Sequence, residues 1–92
     1  METDELHCIV SGRVQMVMFR DFTTRTARRL RLTGFVRNCS DGTVEIVAQG
    51  PTADLEKLLS RVRHGSLLSR VDDVRAEWRK SREIFDRFHL ER

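Results

Sequence analysis

In the stretch GRVQMVMFR, Gly12 to Arg20, a guanidinium stands just inside the start of a segment with helical apolar spacing. The residues just before Phe19 include no Ser, Thr, Asn or Asp to cap that helix, so its first backbone N–H groups lack side-chain partners. Arg20 adds a positive charge in the first turn, which opposes the helix macrodipole by about 0.3 to 1 kcal/mol. A bound anion relieves both penalties. Loop amides, a helix N-terminus and a guanidinium fork together describe a phosphate cradle. The competing reading has Asp21 capping a helix that starts one turn later, with Arg20 solvated.

Asn38 is the second residue of interest, because an amide both donates and accepts and so can hold a water. An asparagine before a turn also commonly hydrogen-bonds its own backbone, and the sequence leaves both readings open. Other chemistry is poorly supported. Cys39 has no histidine near it in sequence to make it a nucleophile, and His7, His64 and His89 show no metal-ligand spacing with Cys8 or Cys39. Neither a metal nor a cofactor is expected.

The elements that must position Arg20 and Asn38 follow from periodicity. Leu6, Cys8 and Val10 alternate with His7 and Ile9, which predicts a first strand of about six residues ending before Ser11-Gly12. Phe19, Phe22, Thr26, Ala27 and Leu30 recur at helical spacing, predicting a helix from about Phe19 to Arg31. TGFVRN and TVEIVAQG flank an SDG turn and read as a hairpin. Pro51 opens a second helix carrying the stripe Leu55, Leu58, Leu59 and Val62, and Gly65 ends it. Val74, Ala76 and Trp78 mark a fourth strand, Phe88 and Leu90 a short last one, and Trp78 and the phenylalanines are expected in the core.

This βαββαβ order with a C-terminal strand predicts an α+β, ferredoxin-like sandwich: a mixed, largely antiparallel sheet with two helices on one face. A strand-helix-strand crossover makes the second strand parallel to the first. The loop after Gly12 and the end of the second strand at Asn38 therefore emerge at one sheet edge, roughly 10 Å apart with a single strand between them.

The same stretches, GRVQ-V-FR around the loop, LTGFVRN followed by DGTVE, the RVDDV strand and a terminal FDRFHL, make the chain resemble the acylphosphatases from about Leu6 to Leu90. The resemblance implies hydrolysis of carboxyl-phosphate anhydrides. It matches Arg20 to the family's phosphate-binding arginine and Asn38 to its water-orienting asparagine, with the amides of Gln15, Met16, Val17, Met18 and Phe19 as the phosphate cradle. Two departures stand out. Met16 and Arg31 occupy places where the family usually has glycine, whereas Met18 falls at a variable place. A non-glycine residue held at positive φ costs roughly 1 to 2 kcal/mol. At Met16 the strain, or an amide turned away to avoid it, would weaken activity; at Arg31 it would act on stability. The alternative function is thus a weakened, anion-binding or interaction domain of the same fold.

Composition bounds the remainder. Ninety-two residues suffice for one domain over 1–92 with a modest core. Net charge is +3, but 15 arginines and 2 lysines are interleaved with 14 acidic residues, which gives no nucleic-acid-binding stripe. The acidic N-terminus, METDELHCIV, lacks a basic n-region and a long apolar run, so neither a signal peptide nor membrane association is expected. With two cysteines and no CxxC, the thiols are expected reduced, in a cytoplasmic monomer. Its expected partners are a small acyl phosphate, with inorganic phosphate or sulfate as competing anions.

Overall fold

The computed structural model describes residues 4–81 and 83–91. In chain order the elements are β1 (Asp4–Arg13), α1 (Phe19–Arg29), β2 (Thr33–Asn38), β3 (Val44–Gly50), α2 (Thr52–His64), β4 (Arg70–Lys80) and β5 (Phe88–Leu90). They build one mixed sheet in the order β4-β1-β3-β2-β5, in which only β2 and β5 pair in parallel. This is the expected ferredoxin-like βαββαβ arrangement with a fifth strand. β1 and β2 are each antiparallel to β3, so they run parallel to one another and their ends share a sheet edge.

Alternation on β1 sends Leu6, Cys8 and Val10 to one face, where they meet Val44, Ile46 and Ala48 of β3 and Val36 of β2. Phe19, Thr23 and Ala27 of α1, with Leu55, Leu58 and Val62 of α2, close the core over them. β1 runs longer than its alternation predicts because a bulge at Ser11/Gly12 lets pairing with β4 continue. Gly12 has φ 127°, and a Cβ there would lie 2.2 Å from the Arg70 carbonyl oxygen, so only glycine lets the two strands close.

α1 ends two residues before its periodicity suggests. Arg31 takes φ 58°, its N–H donates to the Arg28 carbonyl at 3.0 Å, and the Leu32 N–H donates to the Ala27 carbonyl at 3.0 Å. This is a Schellman closure with an exposed arginine in the glycine position. α2 begins and ends as expected, with extended Pro51 as its N-cap and Gly65 at φ 83° beyond it.

The expectation that Trp78 and every phenylalanine lie in the core is wrong. Phe19 and Phe88 are buried, whereas Phe22, Phe35 and Phe85 are half-buried and Trp78 is 44% exposed. β4 is an outer strand, and Trp78, opposite Leu6, flanks a surface hollow with Asp4 and Thr52 at the start of α2. There the helical cover runs out. The opposite sheet face is partly covered by residues 83–85. Gln49 donates to Glu5 at 2.9 Å and to the Glu83 carbonyl, accepts from the Phe85 N–H at 3.3 Å, and Phe35 meets Phe85 edge-on. Arg79 pairs with the buried Glu5 carboxylate.

No helix among the described residues is long and apolar enough to cross a membrane.

Candidate active site

The segment between β1 and α1 is pinned at both ends by buried side chains, Val14 and Phe19, and bows outward between them. Met16 and Met18 have φ 62° and 61°, while Val17 between them does not have positive φ. Left-handed residues in such a loop can bring neighbouring N–H groups to one concave side, as in a backbone anion nest. Met18 was expected to sit at a tolerant place; instead it is a left-handed N-cap with no side-chain cap bond. A variable position in a motif carries no glycine to betray its backbone.

Among the described residues, no backbone N–H from Gln15 to Asp21 donates to a protein acceptor; the first helical bond runs from the Phe22 N–H to the Met18 carbonyl at 3.0 Å. The helix thus starts at Phe19. Asp21 is no cap, since it sits in the first turn and pairs with Arg25 at 3.0 Å.

Arg20 is half-buried, and its Nη1 donates to the Glu91 carbonyl at 3.0 Å. That bond ties the guanidinium to the chain just after β5, beside a hollow of about 420 Å³ lined by Val14, Met16, Met18, Phe19, Arg20, Asp21 and Leu90. Four of the expected cradle residues, Met16, Met18, Phe19 and Arg20, therefore face one cavity. Val17 does not: it packs against the core and lines a neighbouring hollow with Phe22, Leu67 and Leu68.

Asn38 ends β2, exposed, and its amide makes no hydrogen bond among the described residues. The self-capping reading fails because Asp41 does that work: its Oδ1 accepts from the Thr43 N–H at 3.0 Å and the Thr43 hydroxyl at 2.6 Å. Those two bonds hold the Asp41 carboxyl below its ordinary range. The Asn38 amide is left unspent at the sheet edge, although it does not line the Arg20 hollow itself.

Gln15 connects the two halves. Its Nε2 donates to the carbonyls of Cys39 and Thr43, both at 2.8 Å, so the side chain straps the loop after β1 to the turn that follows Asn38. Sequence reading assigned Gln15 only a backbone amide, because a bond to carbonyls 24 and 28 residues away leaves no local pattern. The free Cys39 thiol is half-buried beside this strap. Cys8 is inert in the core, where burial pushes its thiol up to about 12.

Comparison with known proteins converges on one family. The acylphosphatase family model matches residues 6–90. An acylphosphatase from Salinibacter ruber is 47% identical over 83 residues, covering 90% of this chain and 87% of that protein. One from Bacillus licheniformis is 45% identical over 82 residues, covering 89% and 91%. The crystal structure of acylphosphatase from Bacillus subtilis superposes with a TM-score of 0.93 at 38% identity, over 97% of this chain and 99% of that one. With its sheet order, its partnerless loop amides and these matches in agreement, the chain belongs to the acylphosphatase family.

Proposed function

We propose that the protein hydrolyses acyl phosphates to a carboxylate and inorganic phosphate, with Arg20 and the amides of residues 15 to 20 holding the phosphoryl group and Asn38 aligning the attacking water. The observation that carries this reading is the run of N–H groups from Gln15 to Asp21 without a partner among the described residues, in a loop with left-handed Met16 and Met18 that leads into Arg20. These donors need no reorganisation to meet charge developing on phosphoryl oxygens.

The leaving group sets what else is needed. A carboxylate has a conjugate-acid pKa of about 4, so it departs without a general acid. The water oxygen forms a bond to phosphorus as the bond to the acyl oxygen breaks. The carboxylate leaves with that electron pair, and the water proton passes to a phosphoryl oxygen of the substrate. Asn38 accepts a hydrogen bond from the water and holds it opposite the leaving oxygen.

The left-handed backbone at Met16 supports an active loop over a weakened one. Methionine there keeps the curl that glycine would give, and its side chain is wholly exposed, so no packing has pulled the segment elsewhere. All the proposed groups lie on one chain, so a monomer suffices, and the free thiols suit a cytoplasmic setting. Inorganic phosphate and sulfate are expected to compete with substrate. The test is release of phosphate from acetyl phosphate above the spontaneous rate, inhibited by added phosphate. Absence of release from correctly folded protein refutes the proposal.

A further inference from the structure

Met16 is 100% exposed and Met18 67% exposed, in a backbone conformation that glycine would hold without strain. Neither side chain serves the core, and neither suits its own backbone. Both line the hollow beside Arg20, whose other walls include Val14, Phe19 and Leu90. Among the described residues that line it, Arg20 and Asp21 carry charge, and Asp21 is paired with Arg25 at 3.0 Å. Beyond Met18 the surface continues into the second hollow, lined by Val17, Phe22, Arg25 and the exposed Leu67 and Leu68.

From this placement we propose that Met16 and Met18 form an apolar subsite for the acyl chain of the substrate, so that the protein favours neutral alkanoyl phosphates over acyl phosphates carrying a second anion. The inference rests on the reading of the loop as an acyl-phosphate site and adds the class of acyl group. With the phosphoryl group against the loop amides, the acyl carbon lies one oxygen away and its chain must leave across the rim. The rim there is two flexible, polarizable thioethers, which fit irregular apolar shapes. A hollow of about 420 Å³ falls within the range of small-molecule sites. A carboxylate at the far end of the acyl chain would lose its water against the thioethers, while Arg25, which lines the second hollow, is already paired with Asp21 at 3.0 Å.

A homologous series tests this cleanly, because acetyl, propanoyl, butanoyl and hexanoyl phosphates have nearly the same leaving-group acidity. Their kcat/KM is expected to rise about twofold per added methylene, as for a half-buried CH₂, and succinyl phosphate should fall below butanoyl phosphate. The double substitution Met16→Ser with Met18→Ser should flatten the slope, a ratio within one protein that does not depend on its absolute rate. A flat series in the parent chain, or an undiminished slope in the double variant, overturns the subsite while leaving acyl-phosphate hydrolysis intact. If no acyl phosphate is turned over, hydrolysis is what fails, and binding of methyl- to hexylphosphonate, followed through the loop amide resonances, then decides. Affinity rising with chain length keeps the apolar subsite; equal affinity, or none, removes it.

Discussion

Met16, Met18 and Arg31 all hold φ near +60° without being glycine, yet their surroundings differ. Arg31 is exposed and closes α1 through backbone bonds that any residue makes, so its side chain gives nothing back for the strain. Arg31→Gly is expected to raise stability by about 0.5 to 1 kcal/mol after glycine's added chain entropy, measured as a higher denaturant midpoint at unchanged m-value. Met16→Gly should likewise be neutral to slightly stabilising, since a fully exposed side chain has no core contact to lose. A clear drop in melting temperature would show that the methionine packs in solution. At Arg20 the expectation concerns the fork. Lys keeps the charge but not two parallel donors, so Arg20→Lys should weaken phosphate binding by at least about tenfold, read by titration of the loop amides. Asn38→Ala should lower kcat far more than phosphate affinity. The strain at Met16 and Arg31 was legible because a family glycine is missing there; that at Met18 was hidden by a position that varies.

Strands and helices were mostly readable because each writes its burial into a period, and TGFVRN coincides with β2. What escaped was nonlocal: the bulge that lengthens β1, the 83–85 segment over Gln49, and the Gln15 strap. The strap has a kinetic consequence. Gln15→Ala leaves the Cys39 and Thr43 carbonyls without that donor and frees the loop from the hairpin bearing Asn38. We expect roughly a tenfold loss in kcat, with a stability cost of about 1 to 2 kcal/mol for two lost bonds. Equal losses of kcat in Gln15→Ala and in an equally destabilised core variant would reduce the strap to ordinary folding support. The hairpin also responds to acid. Thr43 lowers the Asp41 carboxyl from its ordinary 3.8; burial raises Glu45 from 4.5, but hydrogen bonds from His7 and Arg37 outweigh it and leave it lowered. Depressed folded values mean that the contribution is complete above the ordinary ones and is lost as pH falls through the folded ones. Thermal stability should therefore decline on acidification below about pH 4.5. Asp41→Asn should show less of that decline.

Across the whole molecule, the last described residues close the site as much as the first loop does. β5 pairs with β2, the Glu91 N–H donates to the Val36 carbonyl at 2.8 Å, and the Glu91 carbonyl accepts from Arg20. Deleting residues 88–92 is expected to cost several kcal/mol through loss of the buried Phe88 alone, and to weaken phosphate binding in whatever fraction stays folded. Calorimetry and phosphate titration check the two effects separately. The far side of the sheet raises a different matter. Among the described residues β4 pairs with β1 alone, so its outer margin turns alternate backbone groups toward solvent, a template on which a second chain could add a strand. That strand carries charges of both signs, Arg70, Asp72, Asp73, Arg75, Glu77, Arg79 and Lys80, and a hydrophobic ribbon cannot dock on it without stranding charge. We expect these charges, most of which touch neither core nor cradle, to oppose fibre formation. Replacing Arg75 and Glu77 by threonine and valine would leave the fold intact and open the route to assembly, visible as thioflavin-positive aggregates at concentrations where the parent chain stays clear.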